Sequence, residues 1–259
     1  MKVLWVVAHP ERRSLTGTLW EEGTRALEEE GHEVRVSDLY GMNWKAVVDE
    51  GDFAEEAGSG RRLFVGRAQE RAFRGGGLSD DVRAEQEKVR WADVVVFHFP
   101  MWWFGPPAIL KGWFDRVLTQ GFAFGVADDD GGVRRYGDGG LAGKRAWVVT
   151  SVGARASGFG ARGVHGEMEE VLFPLLHGTF WYTGMEALPP FVVYGADRCD
   201  ARGYARTVGE LRRRVRELAG MSPLAYRPER GGEYDDALVL RDDLAPGRCG
   251  VGVHRRDSR

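Results

Sequence analysis

The run Phe97-His98-Phe99-Pro100-Met101-Trp102-Trp103-Phe104-Gly105-Pro106-Pro107 constrains this chain more than any other part of it. Val94-Val95-Val96 leads into it, a continuous apolar stretch of the kind that a strand buried on both faces needs. Pro100 cannot donate to a sheet ladder and ends the strand. Three large aromatics, Trp102, Trp103 and Phe104, then stand where a loop should be polar. Pro106 and Pro107 suit the first turn of a helix, where a missing N–H costs little. The C-terminal end of a parallel strand thus carries a wall of flat rings, at the place where open α/β sheets bind ligands. Such a wall stacks against a planar molecule.

The flanking patterns supply the rest of the sheet. Val3-Leu4-Trp5-Val6-Val7 reads as a buried strand, and Ser14 or Thr16 caps the following helix. That helix runs through Leu19 and Leu27 to Glu28-Glu29-Glu30, with Gly31 just past its end. Glu33-Val34-Arg35-Val36-Ser37 alternates polar and apolar, as a strand nearer a sheet edge does. Residues 43–77 show no clear period, end in Gly75-Gly76-Gly77, and read as an elaborated excursion. A helix over about 79–90, the strand 94–99 and a helix to about 118 follow. A strand over 146–150 precedes a long helix from near Val164 that carries Met168, Val171, Leu172 and Leu175. A last strand over 191–194 and a helix over 201–218 complete the alternation.

Five strands alternating with helices predict an α/β fold of the flavodoxin-like type, a doubly wound five-stranded parallel sheet of order 2-1-3-4-5. Residues 1–219 form that domain. Residues 220–259 form an extended C-terminal tail, with an apolar patch at Leu238-Val239-Leu240, that packs on the domain or on a dimer partner.

Composition excludes several functions. The chain has 259 residues, 43% of them hydrophobic, enough for a substantial core. Its net charge of −3 and lack of a large basic cluster argue against a nucleic-acid partner. Arg212-Arg213-Arg214, beside Glu210 and Glu217, reads as a solvated helix face. No apolar stretch approaches the ~20 residues of a membrane span, and no targeting segment precedes the first strand. Cys199 and Cys249 read as free thiols, so a cytoplasmic location is expected. No metal is expected. Asp128-Asp129-Asp130 lacks the alternation of a calcium loop, and His32, His177 and His254 lack ligand spacing. Gly143-Lys144 is not a phosphate loop, because Asp138 and Arg145 stand where that motif needs Gly and Ser or Thr. His98, inside a strand, reads as structural.

In the expected topology the loops 9–16, 100–105 and 151–163 converge on one crevice. The first offers Ser14, Thr16 and a helix N-terminus suited to a phosphate. The second offers Trp103 and Phe104 as a stacking surface. The third offers a Gly-rich backbone that can approach a ring closely. A phosphate site, an aromatic wall and a close backbone approach describe a flavin pocket. No G-x-G-x-x-G follows the first strand, which argues against a permanently bound nicotinamide dinucleotide there.

Four segments make a family resemblance specific. Ala8-His9-Pro10-Glu11-Arg12, Ser37-Asp38-Leu39-Tyr40, the run from Phe99 through Lys111-Gly112-Trp113-Phe114-Asp115-Arg116-Val117, and Gly163-Val164-His165-Gly166-Glu167-Met168 resemble the NAD(P)H:quinone oxidoreductase (DT-diaphorase) family. Ser222-Pro223-Leu224 and Cys249-Gly250-Val251-Gly252-Val253-His254 are similar to landmarks near the C-terminus of its longer, animal-type members. The resemblance implies a homodimer holding FAD, with FMN the alternative, that passes hydride from NADH or NADPH to quinones by a ping-pong mechanism. It implies that His9, Leu15 and Thr16 border the pyrophosphate and ribityl chain, and that Pro100, Met101, Trp102, Trp103 and Phe104 flank the isoalloxazine. Ser151, Val152, Gly153 and Ala154 would face the pyrimidine edge, and Arg202 the adenine. His165, with the Gly153 backbone, would act in catalysis, and Trp103, Phe104, Phe124, Val126 and His165 would line the acceptor pocket.

Three departures stand out. Phe159 replaces the tyrosine that the family pairs with its pocket histidine, Phe124 and Val126 replace two pocket tyrosines, and Ala154 replaces a glycine. The acceptor pocket is correspondingly less polar. The expected function is a two-electron NAD(P)H oxidoreductase acting on quinones or similar flat aromatic electrophiles. One alternative is a pathway-specific flavin reductase of an aromatic metabolite. Another is a regulatory flavodoxin-like subunit of a potassium-efflux system, against which the C-terminal extension counts.

Overall fold

The computed structural model describes residues 1–256. In chain order its elements begin with β1 (Lys2–Val7), α1 (Leu15–Glu29), β2 (Glu33–Asp38), α2 (Val65–Gly75), α3 (Asp80–Trp91), β3 (Val94–Pro100) and α4 (Ala108–Val117). A small hairpin of β4 (Val126–Ala127) and β5 (Val133–Arg134) precedes β6 (Arg145–Val152). Then come α5 (Met168–Val171), α6 (Phe173–Leu175), a π-helix (Leu176–Trp181), β7 (Glu186–Ala187), β8 (Phe191–Tyr194) and α7 (Ala201–Glu217).

The central sheet is parallel and runs β2-β1-β3-β6, with β7 and β8 both paired to β6. This is the expected 2-1-3-4-5 order with its fifth position divided. Pro189 and Pro190 lie between the two short strands, and neither has an N–H to give to the ladder. Every residue of β3 is buried, which accounts for its unbroken apolar sequence.

Successive side chains enter opposite layers, as strand geometry requires. Val3, Trp5, Val7, Val94, Val96, Trp147 and Val149 pack against Leu19 and Leu27 of α1 and Leu211 and Val215 of α7. Leu4, Val6, Val95, Phe97 and Val148 face Val82 and Val89 of α3, Leu110, Trp113 and Val117 of α4, and Leu176 and Phe180. Ser14 caps α1, its hydroxyl oxygen accepting the Gly17 N–H at 3.1 Å.

Two expected elements are corrected. Residues 43–77 are not wholly irregular, for they contain α2 and a short 3-10 turn at Glu50–Asp52. An ionic cluster holds the turn. Arg116, 1% exposed at its side chain, pairs with Asp52 at 2.8 Å and Asp81 at 2.6 Å, and donates to the Lys45 carbonyl at 2.9 Å. Tethering by charge leaves no apolar period to read.

The long helix from Val164 is also absent. Val164 is 89% exposed, and helical geometry starts only at Met168. Pro174 interrupts the ladder, and the following turn is wound as a π-helix. The apolar residues of this segment, moreover, do not form a free face. Leu175, Leu176 and Phe180 are buried in the chain's own core, with Phe173 and Trp181 packed against it.

The tail folds back on the domain. Leu224 donates its N–H to the Ala187 carbonyl at 2.8 Å, Trp181 Nε1 to the Arg227 carbonyl at 3.1 Å, and Arg227 N–H to the His254 carbonyl at 2.9 Å. Leu224 and Tyr226 are buried with the core. Among the described residues, no helix is long and apolar enough to cross a membrane, no cluster of three metal-ligating side chains occurs, and both cysteines are free.

Candidate active site

Strands β1, β3 and β6 end side by side, so the three loops that follow them open on one edge of the sheet. The first loop turns tightly into α1. A Cβ at Gly17 would lie 1.9 Å from the Arg12 carbonyl oxygen, so only glycine allows the loop to fold this closely over the helix. The cap uses the Gly17 N–H, and the Leu15 and Thr16 N–H groups of the first turn have no helical acceptor. They and the positive end of the helix dipole form an anion site. His9 Nδ1 accepts the Glu11 N–H at 3.0 Å. Hydrogen bonds from Arg13 hold the Glu11 carboxyl down at about 2, so it is ionised.

The second loop is a two-residue hairpin. Trp102 and Gly105 exchange backbone hydrogen bonds, at 3.0 and 3.1 Å, across Trp103 and Phe104. Both central residues have positive φ, 51° and 61°, the requirement of a type I′ turn that Asn and Gly normally meet. Placing two bulky aromatics there costs of order 1–3 kcal/mol each. In return the rings stand clear of the sheet: Trp103 is 99% exposed and Phe104 53%. The hairpin also joins its neighbours, with Trp102 6.4 Å from the His9 ring and Phe104 5.5 Å from that of His165.

The third loop lies over β6. Met101 N–H donates to the Ser151 carbonyl at 2.9 Å, which ties it to the hairpin. A Cβ at Gly153 would meet Asp197 Oδ2 at 2.1 Å, so a side chain there would have to displace that exposed carboxylate. Arg198 donates to the Gly153 carbonyl at 2.8 Å, and Gly195 N–H to that of Ala154 at 2.9 Å. With two consecutive carbonyls clamped, the planar trans peptides fix the opposing N–H groups of Ala154 and Arg155. Further on, His165 N–H donates to the Gly158 carbonyl at 3.0 Å, and its ring lies 4.8 Å from that of Phe159. Phe159 in turn touches Tyr194, 5.3 Å between rings. Burial raises the Tyr194 hydroxyl above its ordinary value.

Most of the expected site residues therefore meet. His9, Ser14, Leu15, Thr16, Pro100, Met101, Trp102, Trp103, Phe104, Ser151, Val152, Gly153, Ala154, Phe159 and His165 all lie on the three loops, the strand ends that carry them or the first turn of α1. Arg202, exposed at the start of α7, follows closely on the turn that clamps Gly153. Phe124 and Val126 do not join them within one chain. Val126 pairs with Arg134 in the β4–β5 hairpin, and the Phe124 ring contacts neither Phe104 nor His165. Asp197 and Arg198 were missed by pattern, and Gly195 directly after a strand was their one signal.

Residues 1–217 match the family model described as a flavodoxin-like fold. A ribosyldihydronicotinamide dehydrogenase-like protein of Penicillium crustosum is 44% identical over 99% of this chain and 96% of its own length. NAD(P)H dehydrogenase [quinone] 1 of Rattus norvegicus is 34% identical over 88% of this chain and 81% of its own. The chain belongs to the NAD(P)H:quinone oxidoreductase family. It is accordingly an oxidoreductase on a flavodoxin-like scaffold. A solved Klebsiella pneumoniae structure, of a protein provisionally assigned as a quinone reductase, superposes with a TM-score of 0.92 at 43% identity, over 98% of this chain and 99% of that one. That similarity extends past residue 217 into the tail.

The residues fit the flavin that the family implies. An anion site at α1, an outward ring pair under backbone strain and a side-chain-free approach at Gly153 are the features that a phosphate-bearing planar cofactor needs.

Proposed function

We propose that this member of the family is an FAD-dependent, two-electron NAD(P)H oxidoreductase of the cytoplasm that reduces quinones or similar flat aromatic electrophiles, donor and acceptor occupying one space in turn. The strained Trp103-Phe104 hairpin, held between His9 and His165, is the observation that carries the reading. A bound flavin supplies the hydride chemistry. The chain orients and polarises. Leu15 and Thr16 N–H groups, with the Ser14 hydroxyl, hold the pyrophosphate, and Arg202 the adenine end. Trp103 and Phe104 stack on the ring system and shield one side of it from water. The clamped Ala154 N–H, the Gly153 backbone and His165 stabilise negative charge at the pyrimidine edge, which is preorganised electrostatic assistance. NADH and NADPH are both admissible donors.

Residues 1–219 would constitute the catalytic domain and 220–259 an extension of it. A homodimer is part of the proposal, with both sites at the interface. Support comes from the exposure of Trp103 and Val164 and from the separation of Phe124 and Val126 from His165 in one chain. Phe159, Phe124 and Val126 also favour a narrower reading, in which the acceptor is one particular aromatic metabolite. A panel of quinones, azo dyes and nitroaromatics with each nicotinamide separates the two.

The absorbance spectrum of the purified protein and mass spectrometry of heat-released flavin test the core of the proposal. FAD is expected. Recovery of FMN alone from FAD-supplemented protein would overturn the FAD assignment, and absence of any flavin would overturn the reading as a whole.

A further inference from the structure

Away from the crevice, the tail closes over a half-enclosed cavity of about 340 Å³. None of its lining residues lies on the three crevice loops. Phe173, Pro174 and His177 form one side, Tyr136 another, and Tyr234, Leu238 and His254 of the tail the rest. Its volume falls in the range of small-molecule sites.

The walls are unusual in three respects. His177 is stacked on Phe173, 4.5 Å between rings at 13°, and on Tyr136, 4.9 Å at 30°. Phe173 and Tyr136 do not touch one another, so both faces of the imidazole are covered; Tyr226 meets it at 5.0 Å and 69° and His254 at 5.6 Å, and what remains of its edge lines the cavity. Secondly, His177 lies in the π-helix, a rare conformation that is frequent at functional sites. Thirdly, Tyr136 and Leu238 have positive φ, 49° and 62°, as do the hairpin residues Trp103 and Phe104 in the crevice. Of the six described non-glycine residues with such backbone, two lie in the crevice and two line this cavity, and strain of this kind gathers where ligands bind.

Charge and hydrogen bonding narrow the ligand. Arg227 at the wall is paired with Glu233, and Glu229 with Arg135 at 2.6 Å, so the charged groups are already neutralised by partners. Among the described residues an anionic or cationic ligand would find no free counter-charge in this wall. Burial and the neighbouring His254 hold His177 down at about 4, and burial lowers His254 as well. Both rings are neutral at pH 7. His254 Nδ1 is engaged by the Tyr234 hydroxyl at 2.8 Å, whereas among the described residues no hydrogen bond engages the His177 ring. A neutral imidazole edge offers one N–H donor and one acceptor nitrogen. Ring edges also carry the positive side of the aromatic quadrupole and favour an electron-rich face.

We infer that the C-terminal tail builds a second binding site, distinct from the flavin crevice, for a neutral hydroxylated aromatic molecule whose hydroxyl meets the part of the His177 edge that lines the cavity. The inference needs no turnover and stands apart from the redox proposal.

The test is calorimetric titration of flavin-saturated protein with 2-naphthol, naphthalene and 2-naphthoate. 2-Naphthol is expected to bind best and 2-naphthoate worst. His177→Phe keeps the stack and removes the nitrogens, and should weaken 2-naphthol about tenfold, the scale of one lost hydrogen bond, without weakening naphthalene. Leu238→Trp, at a half-exposed position that can accept a larger ring, should fill the cavity and remove this binding event altogether. Should His177→Phe fail to fold, Leu238→Trp still decides. Binding that survives Leu238→Trp but is lost in Trp103→Ala would put the ligand in the crevice and overturn the inference, as would no binding of 2-naphthol at all.

Discussion

Phe104 and His165 meet with ring centroids 5.5 Å apart and planes inclined at 52°, so the loop after β3 and the loop after β6 touch through the two side chains expected nearest the reacting groups. On its other side His165 meets Phe159, at 4.8 Å, where the family carries a tyrosine. The imidazole is thus flanked by two hydrocarbon rings and shares its task with no neighbouring hydroxyl on Phe159.

From this arrangement His165→Ala should slow the reductive half-reaction while flavin remains bound. Loss of one stabilising contact of this kind costs up to ~2–4 kcal/mol of barrier. Phe159→Tyr should restore a hydroxyl beside the imidazole, leave the fold unchanged and speed the same step. Stopped-flow reduction by NADH and NADPH reads both variants. A wild-type rate for His165→Ala would make His165 structural.

Two glycines near the proposed flavin site should respond differently to alanine. At Gly17 the obstacle is the Arg12 carbonyl, 1.9 Å from the new Cβ, and backbone cannot rotate away. Gly17→Ala should destabilise the fold by about 1–3 kcal/mol, as overpacking does, and lose flavin. At Gly153 the obstacle is the exposed Asp197 carboxylate, 2.1 Å away, which can swing aside. Gly153→Ala should leave stability within about 0.5 kcal/mol, in line with surface changes, yet weaken flavin binding. Urea denaturation with flavin titration separates the two effects. Equal destabilisation by both substitutions would show that the Asp197 carboxylate is not free to move.

The sheet was legible because burial on both faces leaves unbroken apolar runs, as in Val94-Val95-Val96, and because Pro100, Gly31 and the Pro106-Pro107 pair punctuate it. The crevice was legible for a related reason: aromatics after a strand-ending proline have no core to enter. What escaped was held by interactions without period. Arg116 anchors residues 43–77 through Asp52 and Asp81, and Asp197 and Arg198 reach Gly153 across 44 and 45 residues of chain. The helix expected from Val164 failed because Gly160, Gly163 and Gly166 close the preceding loop on itself, an arrangement no helical period reveals. Its apolar residues form no dimer face, because Leu175, Leu176 and Phe180 are consumed by the chain's own core.

The dimer proposal therefore rests on a different surface. Trp103 and Val164, 99% and 89% exposed, flank the crevice, and large exposed apolar groups gathered at one rim mark an interface. Light scattering at micromolar concentration should give twice the chain mass. Val164→Asp should weaken association at least about tenfold, because a carboxylate would be buried without a partner. A monomer with full activity would refute the proposal.

Acid stability gives a last check, on the core beneath the site. His98 is 1% exposed, edge-on to Trp5, and its Nδ1 is buried with no hydrogen-bond partner. Burial, with a smaller contribution from His9, pushes it down to about 3, against an ordinary value of 6.5. His177 is pushed down to about 4 by burial and His254. In both cases the unfolded chain binds a proton that the folded chain refuses. Stability is therefore full above about pH 6.5 and falls as the pH drops towards 4 for His177 and towards 3 for His98. The slope tends to about 1.4 kcal/mol per pH unit for the fully buried His98. Urea denaturation from pH 7 to pH 4.5 measures it. His98→Phe removes the titration without breaking a hydrogen bond at Nδ1, so its stability should fall less steeply over that range than the wild type's. Parallel curves for the two proteins would mean that His98 is not the group that loosens this core in acid.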